Sequence, residues 1–299
     1  MFSYLDLWDK ARRIIRLKSF NQRFHERVDS CLRKQLAPVI KEHTNHTSVA
    51  RFNAVDDIDM QSSSIVWVMW WQGIETAPEV VRACYKQLNV KFSSVTLIDK
   101  NNVHELVDFD ATIWSKFENG TIGLTFLSDY IRFKVLERFG GLWVDATVFL
   151  GNFDQNLLKT YPLYTPKGID YARGKYVPRG RWRGYFLQIP QHAEVARFVI
   201  DSFELYWRHN DKLLNFFLID YVLNIAYDEN IGGFHDLVDS LPDDGGPVFE
   251  LDKVLIRGDM DLIRRAILVP VSKLSWKHHY SSVAPLTENQ LIVNNSERD

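Results

Sequence analysis

The apolar positions along the chain change period several times, and each change marks an element. Ile65-Val66-Trp67-Val68-Met69-Trp70-Trp71 is apolar without interruption, the pattern of a strand covered on both faces. Gln72-Gly73 break the run. Residues 78–88 then take helical spacing, with Pro78 and Glu79 in the first turn and Thr76 placed to cap it. Residues 93–99 return to strand and end in Asp99. Asn102 and Glu105 have capping-box spacing ahead of a short helix. Strand, helix and strand at this pitch predict a parallel βαβ unit.

The clearest helix covers residues 123–139, with Leu124, Leu127, Ile131, Val135 and Phe139 on one stripe and Gly140 at the position of a left-handed C-cap. Residues 141–150, GLWVDATVFL, follow as a single buried strand. Beyond them lie a loop at 167–184 carrying Arg173, Lys175, Arg179, Arg181 and Arg183, and a short strand at 185–189. Helices at 191–208 and 215–227, a loop-rich stretch at 228–247 and a strand-like segment at 266–280 complete the pattern. The class expected is α/β with a mostly parallel central sheet, in a main domain over residues 62–285 and a tail over 286–299.

The first 50 residues differ in character. Tyr4, Trp8, Ala11 and Ile15 share a helical stripe crowded by Lys10, Arg12, Arg13, Arg16 and Lys18. A second amphipathic pattern runs through Phe20, Phe24, Val28 and Cys31 or Leu32, and Pro38 is expected to end it. Residues 41–53 read as a polar connector. Two readings stand for this 1–50 arm: an interfacial helix drawn to anionic lipid with Trp8 at the headgroups, or helices packed on their own domain.

Composition narrows the field. The chain has 299 residues, 46% hydrophobic and 25% charged, which is ordinary for one large globular domain or two modest ones. Ten Lys/Arg against five Asp/Glu in residues 1–50 set a basic arm on a mildly acidic body, the whole carrying −2. That balance argues against nucleic acid as a partner. Cys31 and Cys84 form no disulfide framework or zinc spacing. With no apolar run of spanning length and no secretory pattern, the expected compartment is the cytoplasm, with the arm at the inner face of the membrane.

One residue does not fit its surroundings. Asp145 sits inside a stretch of Trp, Val, Ala and Phe, where a carboxylate costs several kcal/mol unless it is met by a cation or hydrogen-bond donors. Alternation places Asp145 and Thr147 on one face, where two oxygen-bearing side chains suit one hard divalent ion or one diphosphate. The plainer reading is that Asp145 caps a turn or pairs with an arginine. Asp129 and Arg132, with Ser128 beside them, share a helix face at i, i+3 among apolar neighbours. They are either part of a site at the sheet edge or a surface ion pair. Gln72-Gly73 and Asp99 fall at strand carboxyl ends, where open α/β sheets bind ligands.

The stretches WVMWWQGIETAPEVVRAC, SDYIRFKVLERFGGLWVDATV, ELYW and KLSWKHH, together spanning roughly residues 62–280, resemble the capsular polysaccharide synthesis proteins. These are grouped with the DXD-containing glycosyltransferases of family 32. The resemblance implies a GT-A fold and a retaining hexosyltransferase. Its donor would be a nucleotide-sugar, most simply a UDP-sugar, and its acceptor a growing saccharide or a lipid-diphosphate-linked one. Matched by position, Gln72 and Gly73 border the nucleotide, Asp129 and Arg132 contact the donor sugar and Asp145 lies near ribose and metal. Trp67, Asp99 and Ser128 are added as donor-binding candidates from their places beside these. Asp145, Asp129, Arg132 and, as a possible orienter of the acceptor, Asp220 carry the catalysis.

Asp145 takes the place of the first DXD aspartate, near a Mn2+ or Mg2+ ion, and Thr147 stands where the second usually is. A hydroxyl is a weaker, neutral ligand. Three completions stay open: His278 or His279 from KHH joins the shell, the diphosphate and Asp145 hold the ion, or basic side chains replace its charge. In isolation, such histidines are more often packed or solvated than ligands. The loop with Arg179, Arg181 and Arg183 either closes over the donor, receives a diphosphate-bearing lipid acceptor or is a solvated basic loop. Competing functions are a metal-dependent nucleotidyltransferase and a non-catalytic, membrane-associated sugar-binding subunit.

Overall fold

The computed structural model describes residues 8–9, 18–46, 65–168, 174–282 and 284–287. Most of the first basic helical pattern, the connector beyond residue 46, Arg173 and the tail from 288 lie outside them. The central sheet has four strands in the order β2-β1-β3-β5: β1 Val66–Met69, β2 Val95–Ile98, β3 Gly141–Val144 and β5 Phe186–Ile189. β1 pairs parallel with β2 on one side and β3 on the other, while β5 runs antiparallel to β3. The fold is therefore α/β with a mixed, mostly parallel sheet.

The chain leaves β1 through α2 (Glu79–Lys91) to reach β2. It returns through α3 (Val103–Leu106), α4 (Ala111–Glu118) and α5 (Leu124–Phe139) to β3 on the opposite flank. The strand order thus reverses at β1, and a crevice opens beyond the carboxyl ends of β1 and β3. α5 is buried on almost every side, with Phe126, Leu127, Tyr130, Ile131, Arg132, Phe133, Val135 and Leu136 inside, so the single stripe expected from sequence underestimates it. It lies between the sheet and α7 (Glu194–His209).

Two glycines make the turn from α5 into β3. Gly140 has φ 65 and ψ −165, a positive φ outside the left-handed helical region. Gly141 has φ 103, and a Cβ there would stand 2.5 Å from the Ile65 carbonyl. Only glycine allows β3 to lie this close to the start of β1.

Several local expectations are corrected. Residues 141–150 are two strands, not one. β3 stops at Val144, a tight turn closes by the Val148 N–H donating to the Asp145 carbonyl, and β4 (Val148–Leu150) leaves for a second sheet with β6 (Val271–Lys273). α6 (Asn156–Thr160) follows β4. Thr76 closes a 3-10 turn instead of capping α2, whose N-cap is Pro78 with no side-chain bond. Asn102 makes no capping bond to α3; its Oδ1 accepts from the Asp99 backbone N–H.

Pro38 does not end its helix. α1 runs from Lys18 to His46 with Pro38 inside. Pro38 removes one backbone hydrogen bond, at roughly 3 kcal/mol. Against this, Phe24, Val28, Leu32, Leu36 and Val39 are buried in the same core as the sheet, at roughly 1.5–3 kcal/mol each. Burial wins, and α1 packs on α7 and α8 (Leu218–Asp228) as part of the main domain. Trp8 lies edge-on to Phe24, with ring centroids 6.0 Å apart, instead of standing out from the domain.

The last turn of α1 is fastened by His43. Its Nδ1 lies 2.6 Å from a Glu194 carboxylate oxygen and its Nε2 2.8 Å from one of Asp201. Both ring nitrogens can donate only in the imidazolium. Burial opposes that charge, but the hydrogen bonds and charges of Asp201 and Glu194 prevail and raise the pKa above 6.5. A raised histidine pKa contributes stability that is complete below the ordinary value and is lost as pH rises through the folded one. His43→Gln should therefore lose about 1–3 kcal/mol relative to wild type in urea unfolding at pH 6, and the difference should shrink at pH 9. A gap that widens with pH would contradict the imidazolium.

Candidate active site

The crevice beyond β1 and β3 is a cleft of about 890 Å3. Its aromatic lining includes Trp70, Trp71, Trp143, Tyr185, Phe216, Phe217 and Trp276, and Gln72 and Ser128 join it. Its charged floor is Asp129, Arg132, Asp145 and Lys273, with Thr147 beside them and Asp220 on the wall from α8. Phe216 and Trp276 remain 62% and 49% exposed at its surface.

Asp145 is met on every side. Arg132 Nη2 lies 3.2 Å and Trp143 Nε1 2.9 Å from Oδ1, and Lys273 Nζ donates to Oδ2 at 2.7 Å. Burial alone would raise its pKa. Lys273, Arg132 and the two hydrogen bonds outweigh it and hold the carboxyl at about 2. Asp145 remains 28% exposed toward the cleft, so these partners tie it without closing it off.

Arg132 is the hinge of the network. Its guanidinium also reaches Asp129 Oδ1 at 3.1 Å and lies over the Trp143 ring, 5.0 Å from the centroid. It is 7% exposed. Gly184 leaves the room: a Cβ there would stand 3.3 Å from Arg132 Nη1. The ion pair is not a surface pair. Burial pushes Asp129 up to about 7 despite Arg132, with Asp145 and Asp220 adding to the rise. Asp220 is also raised by burial, to about 6, against the opposing bond from Trp182 Nε1 at 3.1 Å. Near neutral pH the floor holds two cations, one firmly ionised carboxylate and one carboxyl half protonated. Such a floor can receive an anion.

Lys273 opens the KLSWKHH stretch, but periodicity and spacing assign it no role. β6 pairs antiparallel with β4 in the register Val148↔Lys273, and the Leu274 N–H donates to the Thr147 carbonyl. This pairing carries an ammonium from far along the chain to the Asp145 turn, where Nζ also lies 2.9 Å from Thr147 Oγ1. Its sequence cues are a lysine within the short strand-like VSKL and its place as the first residue of the KLSWKHH stretch.

Other expected site residues lie elsewhere. Trp67 is in the core and donates from Nε1 to the Gly140 carbonyl. Asp99 Oδ1 accepts from the Asn101 and Asn102 N–H groups, and its Oδ2 faces Gly73. Neither Asp99 nor Gly73 lines the cleft, although Gln72 does. Arg181 is half-buried, stacked between Trp182 and Tyr227 and bonded to Asn224, so it holds its loop in place instead of sweeping over the cleft. His278 bonds Asp252 and His279 is exposed; neither lines the cleft.

The donors do not fit a resident Mn2+ or Mg2+. Among the described residues no three His, Cys, Asp or Glu side chains gather to hold a metal. Between Asp145 and Thr147, where such an ion would sit, the oxygens bind the Lys273 ammonium. The set Asp145, Thr147 and His279 is thus not assembled as a metal shell.

The network makes a measurable prediction. In 13C spectra of labelled aspartate, one carboxyl should titrate near pH 7 and vanish in Asp129→Asn. In Asp145→Asn the same midpoint should move down, because a negative neighbour is gone. A midpoint near 4 in wild type would show that Asp129 is not buried as described.

Comparison with known proteins places the chain in a family. No curated protein matches the chain. A family model described as capsular polysaccharide synthesis protein matches residues 12–288, which takes in α1 as well as the cleft. With nearly the whole chain covered and the motif block of α5 and β3 forming the floor of its cleft, the protein belongs to the capsular polysaccharide synthesis protein family.

Proposed function

We propose that the protein is a retaining glycosyltransferase of capsular polysaccharide synthesis. It moves a sugar from a nucleotide-sugar to a growing saccharide or a lipid-diphosphate-linked acceptor. The observation that carries this reading is the cation-bearing floor of Asp129, Arg132, Asp145 and Lys273 in an aromatic-lined cleft at the strand-order reversal.

The reaction breaks the bond from the anomeric carbon to the diphosphate, and the electron pair leaves on the phosphate oxygen. The acceptor hydroxyl oxygen bonds the same face of that carbon, and its proton passes to the departing phosphate. Charge develops on the leaving group, so fixed cations at the floor are the main requirement. Arg132 is already oriented by two carboxylates and a tryptophan face, and no reorganisation is needed when charge appears. Asp129 suits sugar hydroxyls as an acceptor, and Asp220, on the wall from α8, suits the incoming hydroxyl. The aromatic walls offer faces for a base and for sugar rings. A metal-dependent nucleotidyltransferase is less well supported, because the carboxylates here are bound to cations and not gathered for metal.

No described helix is long and apolar enough to cross a membrane. Peripheral contact with anionic lipid is part of the proposal. With the apolar face of α1 buried in the domain, its outward stripe carries exposed Arg23, Arg27, Lys34 and Lys41 at helical spacing.

Two experiments test the reading. Incubation with UDP- and GDP-sugars should release nucleoside diphosphate, faster with a saccharide acceptor, with the donor's anomeric configuration kept in the product. Arg132→Lys should slow release by about 100- to 1,000-fold. Binding of donor without release under any acceptor would leave a sugar-binding subunit instead. Separately, Arg23→Glu with Arg27→Glu and Lys34→Glu should reduce co-sedimentation with anionic vesicles. Unchanged sedimentation would remove α1 as the contact.

A further inference from the structure

We propose that Lys273 supplies, from within the chain, the positive charge that a divalent ion carries in DXD sites, and that it is a catalytic residue for the departing diphosphate. This rests on the glycosyltransfer reading above.

The geometry is specific. Nζ bridges Asp145 Oδ2 at 2.7 Å and Thr147 Oγ1 at 2.9 Å, the two side chains that would flank an ion. It sits in the cleft wall, 22% exposed, so one side meets the cleft. An ammonium has three N–H donors. Two are spent on Asp145 and Thr147, and the third remains for a ligand oxygen. The Tyr185 ring, 5.3 Å away, covers another side of the charge.

The substitutions balance in charge. Two aspartates about a divalent ion sum to zero. One aspartate, one threonine and one ammonium also sum to zero. Thr147 is therefore matched to Lys273: a second carboxylate there would outnumber the one ammonium that bridges the two positions. A hydroxyl also accepts a hydrogen bond from an ammonium without adding charge. The backbone fixes this match, since β4 and β6 set Lys273 directly opposite Val148 and bond Leu274 to Thr147. Lys273 and Arg132 then flank Asp145 from opposite oxygens, two permanent cations held by one carboxylate.

In the reaction step, the oxygen of the breaking bond gains the electron pair. The Lys273 ammonium donates a hydrogen bond to the diphosphate and keeps its proton. The acceptor's proton goes to the phosphate oxygen, as above.

Calorimetric titration of UDP and GDP decides the matter. Wild type should bind at least one of them in EDTA, with affinity unchanged by Mn2+. Lys273→Met should weaken that binding by about 10- to 100-fold. Lys273→Arg, which keeps the charge, should recover part of it. Lys273→Met with Thr147→Asp should regain affinity only when Mn2+ is added. Wild-type binding that requires Mn2+, or a Lys273→Met protein that binds as wild type in EDTA, overturns the inference and leaves the transferase reading standing. Absence of binding to either nucleotide, with and without Mn2+, overturns both. The wild-type comparison needs no variant, so it decides the question even if Lys273→Met fails to fold.

Discussion

The structure turns on one carboxylate with two cations. Asp145 lies at the end of the central strand, where burial disfavours its charge, and it stays ionised because Arg132 and Lys273 reach its two oxygens. A buried carboxylate left with neither would cost several kcal/mol. Each cation comes from a different layer: Arg132 from the helix covering the sheet, Lys273 from the small second sheet. The pairing therefore locks three layers at the point where the cleft opens. The same interactions that make Asp145 tolerable also aim two positive charges into the cleft.

That arrangement explains why the site can be both rigid and reactive. Arg132 is wedged between Asp129, Asp145 and the Trp143 face, with Gly184 leaving just enough room beside it. Asp129 is raised chiefly by burial, with the negative charges of Asp145 and Asp220 adding to it, and turns partly neutral near physiological pH. The floor gains net positive character without an added cation. Electrostatic stabilisation of a leaving diphosphate depends on such preorganised charge. Membership of the capsular polysaccharide synthesis family is consistent with the glycosyl transfer proposed for this cleft.

Helix α1 shows how local rules yield to packing. Its sequence carries a proline that should end it and a basic face that invites a separate role. The five buried apolar side chains from Phe24 to Val39 outweigh the proline, and His43 joins the last turn to α7 through two carboxylates. The basic face is what remains outside. One helix thus gives its apolar face to the core and its basic stripe to the surface.

The sequence by itself determined the element types, the parallel βαβ start, the glycine pair before β3 and the oddity of Asp145. These follow from periodicity, from backbone sterics and from the cost of a charge among apolar neighbours, all of which are local. It also brought Asp129 and Arg132 together, since i, i+3 spacing is a property of one helix. It did not decide that residues 141–150 split at Asp145, because hydrophobic alternation is the same whether a strand continues or changes sheets. Nor did it separate Asp99, which serves its own turn, from acids that face the cleft. The pairing of Lys273 with Asp145 belongs to the tertiary structure. The two lie 128 residues apart, joined by strand pairing whose register no local pattern encodes. The counter-charge of a buried acid is chosen by topology, and the acid alone is visible in the chain.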